Sequence, residues 1–192
     1  MNRSLPILAL VATLVAAPAV AAPATSTTYA FGKESTVAYV LVHPAHTIHG
    51  TSSSLKGKIT LEGGKLVTPF KLTLPLSTLN TGNANRDNNA LLTLGAQRQP
   101  SALLEVTRFD QTSKTEAGGV TKIAGSAIGT FKLKGVAKPY TIPLTATVAA
   151  DRVTVDATFT VSLTAHGIER PALVFVPTED EVKVTVHGVA TP

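Results

Sequence analysis

The sequence predicts an all-β fold, one antiparallel barrel of eight strands with a short helix in a long loop. Three observations predict it. Period-two alternation of apolar and polar residues dominates from Thr36 onward, which puts successive side chains on opposite faces of a strand. Short turns separate the alternating segments, and helical periodicity is nearly absent. A chain of 192 residues is long enough for one substantial core and too short for two comfortable ones.

The clearest strand places Val153, Val155, Ala157, Phe159, Val161 and Leu163 on one face and Thr154, Asp156, Thr158, Thr160, Ser162 and Thr164 on the other. Tyr140, Ile142, Leu144, Ala146 and Val148 repeat the pattern, with Pro143 facing out where an edge or a bulge suits it. Further strands are expected over 55–61, 66–76, 102–109, 122–133 and 182–189, with 37–42 opening the set. About eight strands suit a small closed barrel. Glu62-Gly63-Gly64, Ala117-Gly118-Gly119, Lys134-Gly135 and Ala150-Asp151 are the short turns of a meander.

Two connections are longer. The polar stretch 80–100 holds the helix candidate, over about 84–94, with Asn83 as its N-cap and Gly95 as its stop. The stretch 166–180 carries Gly167, Pro171 and Pro177, which oppose a regular ladder. Loops of this kind commonly cover a barrel mouth.

Residues 1–21 read as a secretory signal: Arg3, an apolar run over 5–15, and the small-residue site Ala19-Val20-Ala21, cut after Ala21. Pro6, Thr13 and Pro18 interrupt this segment, which falls short of the about 20 apolar residues of a membrane span. The mature domain is therefore expected over 22–192, exported and soluble. The chain has no cysteine, so neither disulfides nor thiolate chemistry enter, and the core alone must hold the fold. Loss of Arg3 leaves 16 basic residues against 12 acidic ones, a mild excess. They are scattered singly, without the basic run or interleaved aromatics of a nucleic-acid groove.

An eight-stranded barrel either fills its lumen with interlocking side chains or leaves room for one small ligand. The inward face of 122–133 reads Ile123, Gly125, Ala127, Gly129, Phe131 and Leu133, half of it nearly empty, and Gly57, Ala146 and Ala157 remove more volume. Voids cost stability unless something occupies them, so an apolar guest is one reading. The other is that the glycines permit the strong coiling of a closing barrel.

Four separated motifs resemble the YceI-like family, over about 29–190. Thr81-Gly82-Asn83-Ala84-Asn85-Arg86-Asp87 matches the family's Thr-Gly-Asn-x-x-Arg-Asp signature, with Pro100 opening the next strand. Gly129-Thr130-Phe131-Lys132-Leu133-Lys134-Gly135-Val136-Ala137-Lys138-Pro139 is similar to a strand ending in His-Gly-Val-x-Lys-Pro, with Lys134 in the place of the usual His. His166-Gly167-Ile168-Glu169-Arg170-Pro171, leading into 180–184, resembles the final loop and strand; His46-Thr47-Ile48-His49-Gly50-Thr51 resembles a segment of one branch.

The resemblance implies a lipocalin-like barrel in the periplasm that binds a long apolar lipid, a polyisoprenoid or fatty-acyl amphiphile, without chemistry on it. It implies no cofactor and no metal. Tyr39, Leu41, Phe70, Leu72, Leu104, Gly129, Phe131, Ile142 and Phe159 fit inward positions and are the expected lining, although each serves equally as ordinary core. Asn83 and Arg86 either anchor the long loop or meet the polar head of the guest. A tail longer than the barrel would need an open end or a dimeric extension. The rival reading is a packed barrel whose loops over 80–100 and 166–180 contact a partner.

His43, His46 and His49 lie close enough in sequence to consider a metal. Strand geometry would put His43 and His49 on one face and His46 on the other, so a common site needs a kink near Pro44, and no carboxylate lies nearby. A hydrogen-bonded structural role is the simpler expectation. Ser162 lacks a nucleophile-elbow context and His166 a paired nucleophile, so no enzyme is expected.

Overall fold

The computed structural model describes residues 25–173 and 175–192; the expected signal over 1–21 lies outside them. The strands are β1 Ser26–Phe31, β2 Thr36–His43, β3 His46–Ser52, β4 Lys56–Glu62, β5 Lys65–Leu66, β6 Phe70–Pro75, β7 Ser101–Ala117, β8 Val120–Leu133, β9 Val136–Val148, β10 Val153–Ser162, β11 Ala172–Leu173, β12 Val176–Pro177 and β13 Glu181–Thr191. One α-helix, α1 Ala84–Thr93, lies in the loop between β6 and β7. No helix among the described residues is long and apolar enough to cross a membrane.

The sheet runs β1-β4-β6-β7-β8-β9-β10-β13, all antiparallel, and closes through Ala30–Thr191 and Phe31–Ala190. It is the expected eight-stranded barrel. β2 continues β1 along β13, pairing from Thr36–His187 to Leu41–Val182, and β3 continues β4 along β2. Two wall strands are thus each broken in the middle.

Ser35 holds the first break. Its buried hydroxyl donates to the Val189 carbonyl at 3.1 Å and accepts from the Val189 amide at 3.0 Å, while Gly32 donates to the same carbonyl. A side chain thereby replaces a missing rung of the ladder and leaves no orphan backbone group in the interior.

β1 and β3 were not anticipated, because β1 is short and β3 carries polar residues on both faces. β7 continues past 109 to Ala117, and with β8 it forms a hairpin whose β7 arm is exposed from Asp110 on. The strand expected over 66–76 is divided into β5 and β6. Pro69 lies in the division, where its missing N–H costs no ladder bond.

Pro143 sits where the β9–β10 ladder ends, at Leu144–Ala157. Beyond it β9 pairs only with β8. The open seam is filled by a turn after β10, whose fully buried His166 bonds the Val136 carbonyl at 3.0 Å and faces the Tyr140 hydroxyl at 3.3 Å. His166 also packs edge-on against Phe131. Ser162 and Thr164 bond Asp180 at 2.5 and 2.8 Å and fasten the start of this loop to its end. The Ser162 hydroxyl holds the Asp180 carboxyl below the usual carboxylate range.

Two apolar clusters mark the barrel ends. Leu76, Leu133, Val161 and Ile168, joined by Leu91 and Leu94 of α1, form one. Tyr29, Ile59, Val153 and Ala190, joined by Leu66 and Val148, form the other.

Candidate functional site

Between the clusters the inward faces enclose a cavity of about 570 Å³. Its walls are predominantly apolar. Among the described lining residues Arg86 is the one charged side chain, and Tyr39, Asn89, Thr93 and Gln111 are the other polar ones. Such a surface offers an entering molecule burial of hydrocarbon and few hydrogen bonds.

Tyr39 and Leu41 on β2, Phe70 and Leu72 on β6, Leu104 on β7, Phe131 on β8, Ile142 on β9 and Phe159 on β10 all line the cavity, as the alternation predicts. Phe131 and Phe159 meet edge to face at 6.0 Å, a preferred aromatic geometry. Arg86 lines it from α1.

Gly129 does not. A Cβ there would lie 1.9 Å from the Glu105 carbonyl oxygen and 2.9 Å from the Val106 Cα, beside the register shift between Val106 and Arg108. Gly125 is similar, with the Asp110 oxygen at 2.5 Å, and so is Gly57, with the Lys71 oxygen at 2.5 Å. These glycines let neighbouring backbone approach closely at points of strong coiling; they are not voids. The free volume comes from Ala127, Ala146 and Ala157, which do line the cavity.

Asn83 is not on the wall either. Its side chain caps α1, accepting from the Arg86 amide at 3.0 Å. Gly95, at φ 64, ends the helix as expected.

The loop signature closes on itself through Thr81. Asp87 accepts from the Thr81 amide at 3.0 Å and from its hydroxyl at 2.6 Å. Arg86 donates from Nε to the Thr81 hydroxyl oxygen at 2.8 Å and from Nη2 to the Thr81 carbonyl at 2.9 Å. Gly82, at φ 75, makes the turn. The result is a rigid platform that carries α1 across one end of the barrel.

The loop over 80–100 covers the barrel mouth as expected, but sequence reasoning missed that one face of α1 lines the cavity. Arg86, Asn89, Ala90, Thr93 and Leu94 line the cavity, the i, i+3, i+4, i+7, i+8 stripe of one helix face. That spacing is present in the sequence, but Asn and Thr at two of its positions hide it.

The histidine expectation is corrected in part. His43 pairs with His46 across the turn Pro44-Ala45, so these two share a face, with rings 5.1 Å apart, and His49 pairs with Val40 on the other. The hairpin turn itself brings 43 and 46 together, which counting along one strand does not capture. The His43 Nδ1 accepts from the Ala45 amide at 3.0 Å, so Nε2 carries the proton and donates to the Val176 carbonyl at 2.9 Å. Both ring nitrogens are engaged, Nδ1 within the β2–β3 turn and Nε2 in joining β2 to the β11–β12 hairpin. Among the described residues no group of three or more His, Cys, Asp or Glu side chains is placed to hold a metal.

Comparisons with solved structures place the fold. The chain is similar to BcnA of Burkholderia cenocepacia, at 17% identity and TM-score 0.65, covering 82% of this chain and 97% of that one. A polyisoprenoid binding domain from Saccharophagus degradans implicated in plant cell wall breakdown gives 15% identity and TM-score 0.65, over 85% and 97%. The Campylobacter jejuni YceI protein gives 13% and 0.56, over 74% and 84%. Curated protein sequences give no significant match. The YceI-like domain profile matches residues 27–190, almost the whole described barrel, and the chain belongs to the YceI-like family.

Proposed function

We propose that this barrel holds the hydrocarbon chain of a lipid, a polyisoprenoid or a fatty-acyl amphiphile, and sequesters or carries it non-covalently in the periplasm. The observation that carries this reading is the apolar cavity of about 570 Å³ inside a closed barrel. Tyr39, Leu41, Phe70, Leu72, Leu104, Phe131, Ile142 and Phe159 contact the chain, and Arg86 stands near its polar end. Gly129 and Asn83 serve the site indirectly, one by closing the wall and the other by capping the roof helix. The polyisoprenoid binding domain named above is similar in fold and supports the same ligand class. No bond of the ligand is made or broken.

Each buried methylene contributes about 0.8 kcal/mol, so eight to ten groups, about 6–8 kcal/mol, offset a typical association cost. A cavity of about 150 Å³ accommodates benzene. The 570 Å³ here scales to a chain on the order of 20 carbons.

A series of primary alcohols competing with a fluorescent fatty acid tests the reading. Affinity is expected to rise about four-fold per added methylene and to level off near about 20 carbons. Affinity independent of chain length would overturn it.

A further inference from the structure

The described residues expose three large apolar side chains, and all three stand at the α1 end of the barrel. Phe175, 97% exposed, is in the turn of the β11–β12 hairpin, and Val176, 44% exposed, begins β12. Leu92, 65% exposed, is on α1. The helix turns Arg86, Asn89, Ala90, Thr93 and Leu94 to the cavity, so at about 3.6 residues per turn Leu92 falls on the face directed away from it.

The hairpin is pinned at its root and bare at its turn. Thr178 donates to the Pro171 carbonyl and Glu179 to the Val42 carbonyl, both at 2.8 Å, and His43 holds the Val176 carbonyl. Pro171 lines the cavity and Ile168 belongs to the apolar cluster under α1, so the hairpin rises from the cavity's edge. Phe175 has φ 71, a left-handed backbone that a bulky residue adopts only at a cost. Burial of the ring does not offset that cost, because the ring stands in solvent.

Basic side chains flank these apolar ones. Arg98 follows α1, and Lys132, Lys134 and Lys138 surround the β8–β9 turn. That turn packs on the chain leaving α1: a Cβ at Gly95 would lie 3.4 Å from Lys134 Cγ, and one at Gly135 3.6 Å from Gln99 Cγ. No carboxylate occurs over 94–104 or 131–140, and none of the four cations joins an ion pair among the described residues. The carboxylates of this end, Glu169, Glu179, Asp180 and Glu181, belong to the root of the hairpin. At the opposite end the charges are matched: Lys114 pairs with Glu116, and Arg152 with Glu34 and Asp151.

We propose that the α1 end docks on an anionic bilayer surface, with Phe175, Val176 and Leu92 entering the headgroup region and the four cations meeting lipid phosphates. Apolar side chains projecting around a hydrocarbon-lined mouth fit a partner that is itself hydrocarbon. Free cations beside them fit one with an anionic skin. A bilayer at this mouth also gives a guest a path out of the barrel that avoids water, where a protein seated on it would close the path. Docking goes beyond the carrier reading and needs no cargo in the barrel.

The chain has no tryptophan, so Phe175→Trp sets a single emitter at the hairpin turn and Ala117→Trp one at the opposite end. Each variant of the mature chain is mixed with vesicles of phosphatidylglycerol and brominated phosphatidylcholine. Emission of the first is expected to shift to the blue and to be quenched, and that of the second to stay unchanged. In co-sedimentation with vesicles of the same headgroups, Phe175→Ser should weaken binding about ten-fold or more, the worth of burying such a side chain. Arg98→Gln with Lys132→Gln should weaken it about 30-fold, at about 1 kcal/mol per cation. No response from Phe175→Trp, as a protein partner would leave it, or equal quenching of both emitters overturns the proposal. Long-chain alcohol binding in solution tests the carrier reading separately, and Phe175→Ser should leave it unchanged, since Phe175 does not line the cavity. Its absence from the wild type would sink the carrier reading and leave the docking result standing.

Discussion

Gly129→Ala is expected to abolish the folded barrel or to destabilise it by about 3 kcal/mol or more, the upper range of overpacking, although it adds a single methyl group. The new Cβ would sit 1.9 Å from the Glu105 oxygen and 2.9 Å from the Val106 Cα. Both are backbone atoms of β7 where it is paired on both sides, with β6 and with β8, with no flexible side-chain end to move aside. Losses of that size take a large share of the about 5–15 kcal/mol that holds a typical domain. Gly32→Ala is the control, since nothing lies within 4 Å of its added Cβ. Urea unfolding of the two variants checks the expectation. Equal stabilities would mean that β7 and β8 are not as close at the bulge as described.

Ala127→Leu is expected to do the opposite: keep the barrel and empty it of ligand. Ala127 is buried and lines the cavity, so three added carbons enter free space rather than packed core. They displace about three methylene groups of a guest, worth about 2.4 kcal/mol and about 50-fold in affinity. The unliganded barrel should hold its stability or gain some, because void volume is costly. Binding of a long-chain alcohol together with thermal unfolding separates the outcomes. A folded variant that binds as the wild type does would show that the guest does not reach Ala127.

The contrast between these two small residues shows where the sequence was legible and where it was not. Alternation along β8 groups 125, 127 and 129 on one side, and equal smallness makes all three read as missing volume, but of the three only Ala127 lines the cavity. Only the register shifts of β7 at Val106/Arg108 and Gln111/Ser113 tell them apart, since they carry backbone into the space of Gly125 and Gly129 and leave that of Ala127 free. Bulges depend on the partner strand and leave no period in the sequence. The same limit hid the broken strands: Ser35 reads as an ordinary polar residue near a turn until Val189 is seen beside it, 154 positions away.

Local signals fared better. The cap at Asn83 and the stop at Gly95 framed α1 to within a residue, because both act within one helical turn. The aromatic and aliphatic lining was legible for a related reason. In a closed barrel every inward residue of a long strand faces one lumen, so the period alone assigns it. What the period cannot supply is depth, and hence which inward residues fill the ends and which leave the middle open.

The middle of the barrel is open, and on the carrier reading a hydrocarbon chain occupies it. Native mass spectrometry of the protein, purified without detergent and incubated with a total lipid extract, tests this most directly. The expected spectrum shows a one-to-one adduct, released by organic solvent, whose chain has on the order of 20 carbons. A spectrum of bare polypeptide, unchanged by the lipid extract, would contradict it.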